Sequence, residues 1–182
     1  MRNPLGQIQH RRRRERKTDY KVRYGLLKSG IARLVIRKSS KNITVQVVLY
    51  GVKGDTIISS ASSTQLKKHG WKAGTGNIPA SYLTGLLAGK LAKGKVENVI
   101  LDIGTQVSIK GGRIYAALKG FLDSGIEVPF SKDVLPSDDR LSGKHIADWA
   151  PNAGGNNFKK YGIDAKDIQN NFNEVKKKIN GE

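Results

Sequence analysis

Apolar residues change their spacing several times along the chain, and each change marks an element. From Arg11 to Ser29 the pattern is helical, with Tyr20 and Tyr24 one turn apart and Val22, Leu26 and Leu27 able to dock on a body. Gly30 follows as a stop. Arg33 to Lys38 then alternates, with Leu34 and Ile36 on one face and Arg33, Val35 and Arg37 on the other. Ile43 to Tyr50 and Thr56 to Ala61 are two further strands. The short turns Ser39–Asn42 and Gly51–Asp55 make the three an antiparallel meander.

Helical spacing returns over Ser63–Lys68. A glycine-rich loop with Trp71 follows at 70–77, and Pro79–Lys93 reads as an amphipathic helix through Leu83, Leu86, Leu87 and Leu91. Val96–Ile103 carries a short continuous apolar run suited to a buried strand. Gly111–Leu122 is helical through Ile114, Leu118, Phe121 and Leu122, and Ile126–Pro129 is one more short strand. From Ser131 the chain turns polar and irregular, with a linker at 152–157. Asp164–Ile179 is a last amphipathic helix through Ile168, Phe172, Val175 and Ile179. This order predicts an α/β fold: a mixed sheet with helices packed on it, a basic N-terminal arm and a helical C-terminal tail. The expected divisions are an arm and helix over 1–30, a mixed body over 31–130, and an irregular segment with the last helix over 131–182.

Charge adds what periodicity leaves out. Among 182 residues, 33 Lys and Arg face 15 Asp and Glu, a formal net charge of +18, which points to a polyanionic partner. Residues 1–41 hold 14 of the basic side chains and only Glu15 and Asp19 as acids, so most of the excess sits in the first quarter. Arg11, Arg12, Arg13, Arg14, Arg16 and Lys17 form the densest run. Such a run is either a solvated tail or an arm that tracks phosphates, and bidentate arginine chemistry favours the arm. A membrane-surface helix would need a stronger apolar face than Tyr20, Tyr24 and Leu27 supply. Absent cysteine excludes disulfides and thiolate sites, no apolar run is long enough to span a bilayer, and no apolar segment follows the arginines as in a signal peptide.

Candidate chemistry is thin. Asp102-Ile103-Gly104-Thr105 matches the phosphate turn of actin-type and sugar kinases in four residues, and a strand ending in a turn explains it as well. Gly111-Gly112-Arg113 is either a phosphate-facing nest or a plain turn and cap. His10, His69 and His145 match no metal spacing. Asp133, Asp138 and Asp139 lie beside Arg140, and a local salt bridge accounts for them. No catalytic constellation, metal site or cofactor is expected. The positive signal is a basic strand and turn, Arg33, Arg37, Lys38, Ser39 and Lys41, beside the basic helix. Its bland counterpart is a charged sheet edge.

In order along the chain, RRRRERKTDY (11–20), LLKSG (26–30), RLVIRKSSKNI (33–43), GWKAGTGNIPASYLTGLLAGKLA (70–92), VILDIG (99–104), GGRIYAALKG (111–120) and IEVPFSKDVLPSDDRLSGKHIADWA (126–150) resemble the archaeal form of a universal large-subunit ribosomal protein family, number eighteen, which binds 5S rRNA. The resemblance implies a non-enzymatic protein with a ribonuclease-H-like layout. It implies contacts with 5S rRNA, large-subunit rRNA and neighbouring ribosomal proteins of the central protuberance, in the cytoplasmic large subunit and away from membranes. Carried onto this chain, RNA contacts fall on Arg11 to Arg14, Arg16, Arg33, Arg37, Lys38, Ser39 and Lys41. Lys17, Tyr20, Arg23, Tyr24 and Arg113 are added from the residues themselves, the aromatics because they can stack on unpaired bases. The alternatives are a nucleotide-dependent phosphotransferase using Asp102 and Thr105, and a generic RNA chaperone.

Overall fold

Alternation becomes a meander in the computed structural model, which describes residues 8–150 and 163–181. Strands β1 (Arg33–Lys38), β2 (Ile43–Leu49) and β3 (Thr56–Ser62) pair antiparallel, and β4 (Ile100–Asp102) adds parallel to β1, giving the order β3-β2-β1-β4. Leu34 faces Val47 and Ile36 faces Val45, so one side of the sheet is a continuous apolar floor. The other side carries Arg33, Val35 and Arg37 on β1, Thr44 and Gln46 on β2, and Asp102 opposite Val35. Nothing in this topology conflicts with the layout the family resemblance implies.

Helices α3 (Ile78–Ala92) and α4 (Arg113–Leu122) cover the apolar floor. Asn77 caps α3 by accepting from the Ala80 amide at 2.9 Å. The two helices meet at glycines: a Cβ on Gly85 would overlap the Ala117 carbonyl, and one on Gly120 would overlap the Tyr82 carbonyl. Close approach is why α3 is buried nearly all round rather than amphipathic. Leu91, expected inside, is instead 47% exposed at its last turn. The terminal helix α7 (Ile168–Asn180) docks Ile168, Phe172, Val175 and Ile179 into the same core, with the Phe172 ring 5.5 Å from that of Tyr82. Between β3 and α3, Ser63–His69 is a 3₁₀ helix.

Four more expectations need correcting. The helix expected over Arg11–Ser29 is two: α1 (Arg11–Arg14) and α2 (Tyr20–Leu27). Arg16 breaks it at φ 53°, and Asp19 starts α2 by accepting from the Lys21 and Val22 amides at 2.9 and 3.2 Å. Four adjacent like charges weaken a continuous helix, and an Asp that caps ends one and begins the next. The strand expected over Ile126–Pro129 is only a parallel bridge between Asn98 and Glu127. The segment after Ser131 is ordered into a 3₁₀ turn (Lys132–Val134), α5 (Asp138–Ser142) and α6 (Lys144–Trp149), with Gly143 at φ 89° between the last two. Asp139 pairs there with Lys144 at 3.7 Å, rather than with Arg140. The expected linker at 152–157 lies outside the described residues.

Candidate RNA interface

The arm folds back toward the polar side of the sheet. Just past α1, Glu15 accepts from Arg11 Nε at 2.8 Å and from Lys17 Nζ at 2.7 Å. Those two hydrogen bonds, Lys17's first, hold its exposed carboxyl below the usual range. Arg12 Nε donates to Thr18 Oγ1 at 2.9 Å, and the His10 and Tyr20 rings lie 6.0 Å apart. These contacts shape the arm without using up its charge: Arg11 to Arg14, Arg16 and Lys17 are all exposed. Tyr20 and Tyr24 are 40% and 64% exposed, and Lys28 Nζ sits 4.9 Å over the Tyr24 ring.

An ion-pair chain ties the arm to the sheet. Arg23 on α2 donates from Nη2 to both oxygens of Asp55, at 3.0 and 2.9 Å. Asp55 also accepts from Arg33 Nη2 at 2.7 Å, and Arg33 Nη1 donates to Asp102 Oδ2 at 2.7 Å. Arg37 Nη2 completes the chain on Asp102 Oδ1 at 2.8 Å, while its Nη1 donates to the Ile36 and Asp102 carbonyls. Burial raises the pKa of both carboxyls. For Asp102 the hydrogen bonds and charges of Arg37 and Arg33 outweigh it, for Asp55 those of Arg23 and Arg33, and both stay below the usual carboxylate range.

This chain changes what two expected contacts can do. Arg33 does share a face with Arg37, but at 2% exposure it lies inside the network rather than on the surface. Its place is to hold Asp102 and Asp55. Arg37 is half-buried and largely engaged by Asp102. Asp102 also accepts from the Gly104 amide at 2.9 Å, so both its oxygens are engaged by protein donors, Oδ1 by Arg37 and Gly104 and Oδ2 by Arg33. Among the described residues no cluster of His, Asp and Glu could hold a metal ion.

The turn and helix positions separate in the same way. Ser39 Oγ and Asn42 close the β1–β2 turn on each other, leaving Lys41 exposed at its tip. Arg113 Nη1 donates to the Ser39, Ser40 and Gly76 carbonyls at 3.1, 3.4 and 3.0 Å, pinning that turn to the start of α4. Lys38 has its backbone N–H and C=O matched by the Gln106 side-chain amide at 3.0 and 2.7 Å. That amide takes the place of a strand where β4 has already ended. The sequence reading missed Thr44, Gln46 and Ser60, which line the polar face, with Gln46 Nε2 donating to Ser60 Oγ at 3.2 Å. Alternation alone could have found them.

The arrangement is an exposed cationic arm and two accessible tyrosines beside a polar sheet face, and among the described residues no cleft sets a nucleophile against a base. Comparisons with known proteins agree with it. The family model described as "Ribosomal large subunit proteins 60S L5, and 50S L18" matches residues 6–99. "Large ribosomal subunit protein uL18" of Methanothermobacter thermautotrophicus is 41% identical over 187 positions, covering 98% of this chain and 97% of the relative. The protein of the same name from Staphylothermus marinus is 43% identical over 190 positions, covering 98% and 94%. That from Korarchaeum cryptofilum is 51% identical over 144 positions, covering 79% and 74%. These relatives carry ribosomal names rather than enzyme names, which sets aside the phosphotransferase reading, and the chain belongs to the uL18 family of large-subunit ribosomal proteins.

Proposed function

We propose that this chain is a structural constituent of the large ribosomal subunit that binds 5S rRNA and anchors it to large-subunit rRNA in the central protuberance, beside neighbouring ribosomal proteins. The observation that carries the reading is the arm: six consecutive or near-consecutive cations, Arg11 to Arg14, Arg16 and Lys17, stay exposed while ion pairs fix α2 against the sheet. Phosphate contacts from the arm supply affinity and orientation. Tyr20 and Tyr24 offer stacking faces, and Thr44, Gln46 and Ser60 offer neutral donors and acceptors that read RNA shape.

Competition binding tests this. The protein is titrated with 5S rRNA against an unrelated structured RNA of equal length across a salt series. Both affinities fall with salt, and a 5S preference that survives at high salt supports the reading. Equal affinities that collapse together would reduce the chain to a generic RNA chaperone.

A further inference from the structure

We propose that a cleft between β1, the β4–α4 loop and α5 seats a second stretch of RNA backbone, with Lys38, Lys110, Arg113 and Arg140 as its cations. The proposal rests on the RNA-binding reading above and extends it to a separate surface. The cleft encloses about 330 Å³. Its four cations come from three separate stretches of the chain, at 38, 110–113 and 140, and none of its lining residues is a carboxylate. Lys38, Lys110 and Arg140 make no side-chain hydrogen bond or ion pair with any described residue. Arg113 commits Nη1 to carbonyls, which fixes the side chain without neutralising it. Four converging cations without a countercharge repel one another, and an anion removes that repulsion.

Local geometry holds the cleft open. The Gly112 amide donates to the Ile109 carbonyl at 3.0 Å, closing a turn whose third residue, Gly111, sits at φ 65°. That turn lifts Lys110 to its tip. The Gly111 amide donates to the Val134 carbonyl at 2.9 Å, tying the turn to the segment that leads into α5 and Arg140. Gln106 fixes the backbone of Lys38 on the opposite wall.

Two observations favour nucleic acid as the occupant. Val107 and Ile109 are 70% and 57% exposed, apolar side chains that match the flat faces of ribose and base. One loop also links the cleft to the arm: its Thr105 lines a hollow with Arg13, Arg16 and Tyr20, two residues before Val107 enters the cleft. The shared chemistry is an RNA phosphate, and its source is either 5S rRNA or large-subunit rRNA.

The test uses the full chain carrying Lys110→Gln and Arg140→Gln together, two exposed residues without side-chain partners among the described residues, with Lys110→Arg/Arg140→Lys as the charge-retaining control. The melting transition is expected to be unchanged in both. Binding to 5S rRNA is measured across a salt series, followed by binding of the 5S complex to large-subunit rRNA. Removing two phosphate contacts is expected to reduce the salt slope by about 1.4–1.8 and weaken one of these steps by roughly tenfold, with recovery in the control. Loss in the first step assigns the cleft to 5S rRNA, and loss only in the second assigns it to large-subunit rRNA. Wild-type binding with unaltered affinity and slope in both steps for the Gln variant overturns the cleft alone. A wild-type chain that binds neither RNA overturns the function on which the cleft depends.

Discussion

Arg33 and Asp102 are 69 residues apart in sequence and meet at 2.7 Å with both side chains under a tenth exposed. Their strands are parallel neighbours, Arg33 lying opposite Ile100 and Asp102 opposite Val35. The pair therefore bolts the late strand β4 to the meander. It also extends outward: Asp102 holds Arg37, and Arg33 reaches Asp55, which holds Arg23 of α2. One buried pair thus sets the position of the arm relative to the sheet. Arg33 Nε is buried without a partner among the described residues, which shows how fully the network depends on its two carboxylates.

Replacing Asp102 therefore removes more than a surface ion pair. Asp102→Ala leaves the Arg33 guanidinium buried with Asp55 as its remaining carboxylate partner among the described residues. Breaking a buried pair from one side costs about 3–5 kcal/mol, against roughly 0–1 kcal/mol for an exposed pair. The expected result is a large drop in denaturant midpoint. Arg11→Gln, which breaks the exposed Arg11–Glu15 pair, should leave the midpoint nearly unchanged in the same urea titration.

The pH profile follows from the same carboxyls. Asp102 and Asp55 have folded pKa values below those of the unfolded chain. The unfolded chain therefore takes up protons first, so the stability they supply is complete above ~3.9 and is lost as pH falls through their lower folded values. His145 acts in the same direction at higher pH, because burial and then the charge of Arg140 lower its pKa. Its contribution is complete above ~6.5 and fades below it. Thermal melts from pH 8 to 3 should show a shallow early decline and a steep acid limb. The Asp102→Ala variant should have a flatter acid limb than the wild type.

The sequence made the sheet legible because its signal is local. Leu34, Ile36, Val45 and Val47 alternate within their own strands, and short turns left few ways to pair them. The helices that cover the floor were legible by period. Burial of α3 on all sides was not, because it depends on Gly85 and Gly120 letting two backbones approach, and a glycine in sequence does not say what it faces. At the candidate site, exposure of the arginine run was legible from charge density. The fate of Arg33 was not: alternation placed it beside Arg37, but its partner Asp102 lies on a strand 69 residues away and Asp55 in a hairpin turn. The break at Arg16 could have been anticipated from Asp19, a capping residue set ahead of an apolar spacing.

The α3–α4 contact can be tested without touching the polar face. Gly85→Ala and Gly120→Ala place a methyl group where the Ala117 or Tyr82 carbonyl already stands, so the helices must separate. Overpacking of this kind costs about 1–3 kcal/mol or more. Gly25→Ala in α2 is the opposite case: a Cβ there meets nothing within 4 Å, and alanine favours helix by up to about 1 kcal/mol. Chemical denaturation of the three variants should give two large losses and one neutral or slightly positive change. RNA affinity of folded Gly25→Ala protein should match the wild type.

The arm and the tyrosines should fail in different ways. Deleting residues 1–17 removes Arg11 to Arg14, Arg16 and Lys17, none of which is buried, so the melting transition should stay within experimental scatter. The same deletion should cut 5S affinity strongly at low salt and flatten the salt dependence, because each phosphate contact contributes about 0.7–0.9 to the slope. Tyr24→Ala should behave otherwise. A stacked base contributes about 1–3 kcal/mol, which weakens binding by roughly five- to more than a hundredfold while leaving the slope unchanged. Tyr24→Phe keeps the ring and should bind like wild type. If Tyr24→Ala changes the slope but not the high-salt affinity, Tyr24 supports the arm instead of stacking on a base. If deletion of residues 1–17 leaves the slope unchanged, the arginine run is a solvated tail, and the phosphate contacts lie elsewhere on the sheet face.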